Sequence, residues 1–137
     1  MMTGSRLVND HSFTCDSLKG MIVERLFAFY EEDNSDNIYM IVLKLQEKEL
    51  WQRFFLDAGL GFWEEWNEEF VMEDFEGDPK VDLAEIHKIS GSSLKSITCT
   101  GSYEELSQMD FRLGDVHLNF RFKDQKDCES DTIITRL

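Results

Sequence analysis

The sequence holds a single proline, Pro79, and eight glycines in 137 residues, too few chain-breakers for a collagen-like or loop-dominated scaffold. Its three cysteines, Cys15, Cys99 and Cys128, are odd in number and far apart, which fits neither a disulfide framework nor a zinc knuckle and points to a reducing compartment. Cations are scarce. Lys and Arg total 14 against 28 Asp and Glu, and a formal charge of −14 repels nucleic-acid backbones and anionic lipid surfaces. No run approaches the roughly eighteen apolar residues of a membrane span, and the first six residues lack the apolar stretch of a secretory signal. The expectation is a cytoplasmic chain that binds neither nucleic acid nor membrane.

What the chain does have is apolar and aromatic bulk: hydrophobic residues make up 42% of it, with eleven Phe, three Trp and three Tyr. Side chains of this kind suit pleated, half-buried surfaces, so strands are favoured over helical bundles. At this length a single domain over residues 1–137 is expected. Residues 1–17 read as a polar lead-in with a short strand near Phe13. Met21 to Glu31 carries apolar residues at both odd and even positions, as in a strand covered on both sides. Residues 31–37, Glu-Glu-Asp-Asn-Ser-Asp-Asn, favour a hairpin loop, and strands follow at Ile38 to Leu45 and Leu50 to Leu56.

The middle of the chain is less regular. Phe62, Trp63, Trp66 and Phe70 fall on one face at helical spacing, which predicts a short amphipathic helix; high β-propensity makes a strand the competing reading. Asp78-Pro79 reads as a helix start, with the helix ending before Gly91. Strands return at Leu94 to Thr100, Leu106 to Leu113, Val116 to Phe122 and Thr132 to Arg136.

Two stretches repeat a pattern. Leu18-Lys19-Gly20 followed by a strand matches Ile89-Ser90-Gly91 followed by a strand; Leu43-Lys44-Leu45 matches Phe111-Arg112-Leu113, and Leu50 to Phe54 matches Leu118 to Phe122. The fold class expected is mainly β, with α+β as a variant: two pseudo-repeated antiparallel units, about 18–60 and 89–136, joined by an acidic segment 61–88 with one or two short helices, and packed as a sandwich or partly open barrel. This repeated pattern resembles small duplicated bacterial β-domains of the toxin-immunity type. The resemblance spans about residues 18–136 and implies a bacterial binding protein whose partner is a toxin.

Acids recur at 64, 65, 68, 69, 73, 74, 76 and 78 with no Lys or Arg before Lys80. Trp63, Glu64, Glu65, Glu68, Glu69, Glu73 and Asp74 are therefore candidates for docking a basic partner, opposed potentials speeding encounter and an aromatic residue anchoring it. Glu31, Glu32, Asp33 and Asp36 are further candidates. The plainer alternative puts the aromatics in the core and the acids on a solvated face. The 31–37 loop lacks the ligand spacing of a calcium loop, and His11, His87 and His117 are too scattered to imply a metal or acid–base site, so neither metal nor cofactor is expected. No cysteine has a base beside it, and no catalytic residues are assigned.

The function expected is thus non-enzymatic: an acidic binding protein acting as an immunity protein by occluding a cognate toxin, as monomer or homodimer. Two alternatives stand beside it. One is a ligand-binding or enzymatic β-domain with a pocket lined by Trp51, Phe54, Phe120 or Phe122. The other is a homodimeric module whose exposed aromatics pair with a second copy.

Overall fold

A computed structural model describes residues 4–57, 59–69, 71 and 77–137. Two antiparallel sheets hold the described strands. The first is formed by β1 (Gly4–Asp10), β3 (Val23–Glu31), β4 (Asn34–Leu45), β5 (Trp51–Asp57), β6 (Leu60–Trp66) and β7 (Lys80–Asp82), in the spatial order β1-β6-β5-β4-β3-β7. The second is formed by β2 (Phe13–Thr14), β8 (Leu94–Thr100), β9 (Gln108–Leu113), β10 (Val116–Phe122) and β11 (Thr132–Arg136), in the order β11-β10-β9-β8-β2. A 3-10 turn over Asp16–Leu18 and a short helix, α1 (Leu83–Ile86), complete the named elements. The sheets do not close into a barrel; they face one another as a sandwich.

The inner faces share one core. Leu26, Ala28, Ile41, Leu43, Phe54 and Trp63 from the first sheet meet Leu94, Ile97, Met109, Phe111, Leu118 and Phe120 from the second. Phe54 and Phe111 join the layers edge to face, with ring centroids 5.2 Å apart. The outer face of the first sheet holds a second cluster of Phe27, Phe29, Met40, Val42 and Trp51, covered by Val71 from the connection between β6 and β7. The apolar residues at both parities of β3 and β4 are thereby accounted for: both faces are buried. The second sheet alternates instead. In β9 the buried residues are Met109, Phe111 and Leu113, with Gln108, Asp110 and Arg112 turned outward.

The two four-stranded meanders, β3–β6 and β8–β11, are pseudo-repeats, and the backbone shows how they meet. Gly20 and Gly91 take matching left-handed conformations, φ +89° and +87°, which glycine adopts without steric cost. Gly20 N–H donates to Leu94 O and Gly91 N–H to Val23 O; Leu94 N–H donates to Met21 O and Val23 N–H to Ser92 O. These bonds are reciprocal, and Ile22 pairs with Ser93 between them, so a pseudo-twofold axis passes through that bridge. The same irregularity recurs one step later in each unit, between Val23 and Arg25 and between Leu94 and Ser96.

Several local expectations are corrected. The segment Leu60–Trp66 is strand rather than helix, because β5 supplies a full antiparallel partner and β1 a second. Residues 4–10 form β1 rather than a loose lead-in, since the open side of β6 gives even a polar strand a ladder to join. The 31–37 loop is a tight turn with β4 already begun at Asn34. The helix cap is Asp82, whose carboxylate accepts from Glu85 N–H at 3.0 Å; Asp78 precedes a strand instead. Equivalence of the third strands is set by pairing: Phe54 lies opposite Ile41 as Phe120 lies opposite Met109, so Phe54 corresponds to Phe120 and not to Phe122. The longer turn between β4 and β5 absorbs the difference without changing the buried face. Cys15, in the connection between β2 and the 3-10 turn, is buried.

Candidate functional site

Strand alternation divides the acidic–aromatic segment between two faces. Trp63 and Glu65 lie on the inner side of the first sheet, Glu64 and Trp66 on the outer. Trp63 is buried and its indole donates to Gln52 Oε1 at 2.8 Å, while Gln52 Nε2 donates to Glu65 Oε2 at 3.0 Å. Lys48 Nζ stands 3.3 Å from the same carboxylate oxygen. Glu64 is only 5% exposed and pairs with Arg53 at 2.9 Å, and the Trp66 indole donates to it at 3.1 Å. The Arg53 guanidinium lies 4.4 Å from the Trp66 ring centroid. Trp63, Glu64 and Glu65 thus share no open surface: their polar atoms are used inside the sheet.

Glu68 and Glu69 are exposed, just past the end of β6, and helical backbone begins there, with Val71 N–H donating to Asn67 O. Glu73, Asp74 and Phe70 lie outside the described residues. The remaining candidates gather elsewhere. Glu31, Glu32, Asp33 and Asp36 all stand exposed where β3 turns into β4, at the end of the first sheet opposite the one where β6 stops. None of the four forms an ion pair with a described cation. Tyr39 and Asp78 join them through a 2.8 Å hydrogen bond. The Tyr39 phenol is held well above its usual range, first by burial, then by its bond to Asp78, with Glu31 adding to the effect. Glu31, Glu32, Asp33, Asp36 and Asp78 thus gather at this end of the first sheet, with Lys80 on the strand beside β3.

Sequence reasoning missed a polar network on the outer face of the second sheet. His117 Nε2 and Asp110 Oδ1 are 2.6 Å apart; Asn119 Nδ2 donates to Asp110 and to Gln108, and Arg121 donates to Asn119 and to Thr135. His117 is on an interior strand of the second sheet. The signal was there in Val116 to Phe122, where polar residues at 117, 119 and 121 alternate with apolar ones and must share a face. The bonds described satisfy that network within the sheet. Among the described residues no group of three or more His, Cys, Asp and Glu side chains is placed to hold a metal.

Trp51, Phe54, Phe120 and Phe122 are core residues, each at most 2% exposed, and line no described cavity. A groove of about 490 Å³ lies instead between β11 and the first sheet, lined by Ala28, Ile38, Val81, Leu83, Ile133 and Ile134, with the polar groups of His87, Lys123 and Arg136 at its margin. Both buried thiols are poor nucleophiles: burial pushes Cys15 far up and Cys99 to about 12, the latter partly offset by Ser107. Among the described residues no helix is long and apolar enough to cross a membrane. Comparison with protein families, curated proteins and solved structures returns no match.

Proposed function

We propose that this chain is a non-enzymatic, cytoplasmic binding protein that engages a basic protein partner through the anionic end of the β3–β4 hairpin, as a bacterial immunity protein engages its cognate toxin. One observation carries the reading: Glu31, Glu32, Asp33 and Asp36 are all exposed on one hairpin whose stems are anchored in two apolar clusters, and none is in an ion pair with a described cation. A rigid base that presents several unpaired carboxylates steers a cationic surface into register and rejects anionic competitors. Glu68 and Glu69 form a second acidic group, near the opposite end of the same sheet.

Co-expression tests this reading. The product of the gene adjoining this one is induced in a bacterial host with and without the chain; restored growth supports the proposal, and toxicity undiminished by the chain overturns it. A variant carrying Glu31→Gln, Glu32→Gln, Asp33→Asn and Asp36→Asn should associate with the same partner about tenfold more slowly, or slower still, at low salt. Its unfolding midpoint should stay close to that of the parent, since exposed substitutions away from packing cost about 0.5 kcal/mol or less.

A further inference from the structure

The pseudo-twofold relation leaves one strand without a counterpart. In the first unit β1 runs antiparallel along the outer edge of β6, with Val8 opposite Trp63 and Ser5 opposite Glu65. In the second unit the strand equivalent to β6 is β11: Trp63 lies opposite Phe54 as Ile134 lies opposite Phe120. Beyond β11 no described strand follows.

Among the described residues the backbone of that edge is open over part of its length. Lys123 N–H donates to Asp131 O and Leu137 N–H to His117 O, so the odd-numbered residues of β11 bond inward to β10. The even-numbered residues direct their N–H and C=O groups away from the sheet. Thr132 is tied down, its N–H donating to Asn37 Oδ1 at 3.0 Å and its hydroxyl to Ile38 O. Ile134 and Arg136 have no described main-chain partner on the outer side, whereas their equivalents Trp63 and Glu65 face β1.

Beside the edge lies the 490 Å³ groove, its floor apolar and its rim carrying Lys123, Arg136 and His87, with Asp36 the acidic residue along it. Ile86 and Leu137, two of the four large apolar side chains exposed among the described residues, adjoin His87 and Arg136 in sequence. The charge is inverted relative to the covered edge: β6 presents Glu64 and Glu65 where β11 presents Thr135 and Arg136.

The geometry points to β-strand addition: the outer edge of β11 accepts an extended peptide segment of a partner protein, antiparallel, with an apolar residue opposite Ile134 entering the groove and a carboxylate opposite Arg136. Main-chain bonds to Ile134 and Arg136 supply affinity and the groove supplies selection, as in other edge-strand complexes. An acidic segment is the occupant because this rim is basic on a chain of charge −14. The site adjoins the acidic hairpin at Asp36, which lines the same groove, but it uses the β11 main chain and stands whether or not the hairpin binds a toxin.

Two synthetic peptides test it, both with the β1 sequence Gly4–Asp10, one carrying Ser5→Glu and the other Ser5→Lys. They are titrated into isotopically labelled protein, and amide signals are followed by NMR. The Ser5→Glu peptide should shift the Ile134 and Arg136 amides and slow their hydrogen exchange, with an affinity about two- to fivefold above the Ser5→Lys peptide. Arg136→Glu, at an exposed position, should reverse the preference without unfolding the protein. Arg136→Pro, which removes one outward donor, should abolish binding of both. Silence at Ile134 and Arg136 with millimolar peptide overturns the inference, as does perturbation confined to Trp63 and Glu65. A dimer in sedimentation, with the Ile134 amide protected before peptide is added, assigns the edge to a second copy and overturns it equally.

Discussion

The two sheets share a plan and differ on their outer faces. The first is apolar there and covered: Phe27, Phe29, Met40, Val42 and Trp51 lie beneath Val71. The second is polar there, with Asp110, His117, Asn119 and Arg121 bonded to one another. Their outermost meander strands differ in the same sense: β6 is shielded by β1, and no described strand lies beside β11 on its outer side. One half has thus been closed by added chain while the other keeps a face and an edge for solvent. The pseudo-repeat supplies the common core, and what is attached to each unit decides which surfaces remain to interact.

The core should ignore this difference. Phe54 and Phe120 occupy equivalent positions and are both fully buried, so Phe54→Ala and Phe120→Ala should each cost about 3–5 kcal/mol in chemical denaturation. A loss confined to one of them would show that the halves do not share a single cooperative core. The covered half alone should depend on a buried ion pair. Glu64→Ala removes the carboxylate that Arg53 meets at 2.9 Å inside the sheet and should cost about 1–3 kcal/mol. Thr135→Ala, at the equivalent position of β11, removes only a hydroxyl that accepts from Arg121 and should cost less in the same assay.

Much of this architecture was legible in the sequence, and the reasons are local. Val116 to Phe122 and Thr132 to Arg136 could be bounded to the residue because alternation and turn residues agree there. The glycine-led openings at Gly20 and Gly91 were visible as a repeat because both need a left-handed backbone. The segment at 62–66 was not legible: aromatic residues spaced for a helix also fit a strand, and only the long-range pairing with β5 and β1 decides between them. β1 was missed for the same reason, a polar strand held by its partner's open edge rather than by its own apolar pattern. The docking candidates divided likewise. Exposure of Glu31, Glu32, Asp33 and Asp36 follows from a turn composition, whereas burial of Glu64 depends on Arg53 across a strand pair whose register the sequence does not print.

The junction between the halves is the next test in size. A Cβ at Gly20 or Gly91 would meet nothing within 4 Å, so the penalty for alanine is backbone strain alone. Gly20→Ala and Gly91→Ala should each cost about 1–2 kcal/mol, and the two values should agree closely. Unequal values would mean that one unit carries more of the reciprocal hydrogen bonding than the other.

The smallest effect reports on the open edge itself. His87 is pushed below its ordinary pKa of 6.5, first by burial and then by Arg136, whose Nη1 lies 3.4 Å from His87 Nδ1. A base whose folded pKa is depressed adds stability that is fully present above pH 6.5 and is lost as the pH falls through the lower folded value. Arg136→Gln removes the second cause and leaves the first, so the NMR titration midpoint of His87 should rise toward 6.5 without reaching it. A strand-adding peptide that brings a carboxylate to Arg136 should move the midpoint in the same direction. If the midpoint is indifferent to both changes, Arg136 does not face the groove beside His87, and the contrast between the shielded and open edges loses its electrostatic half.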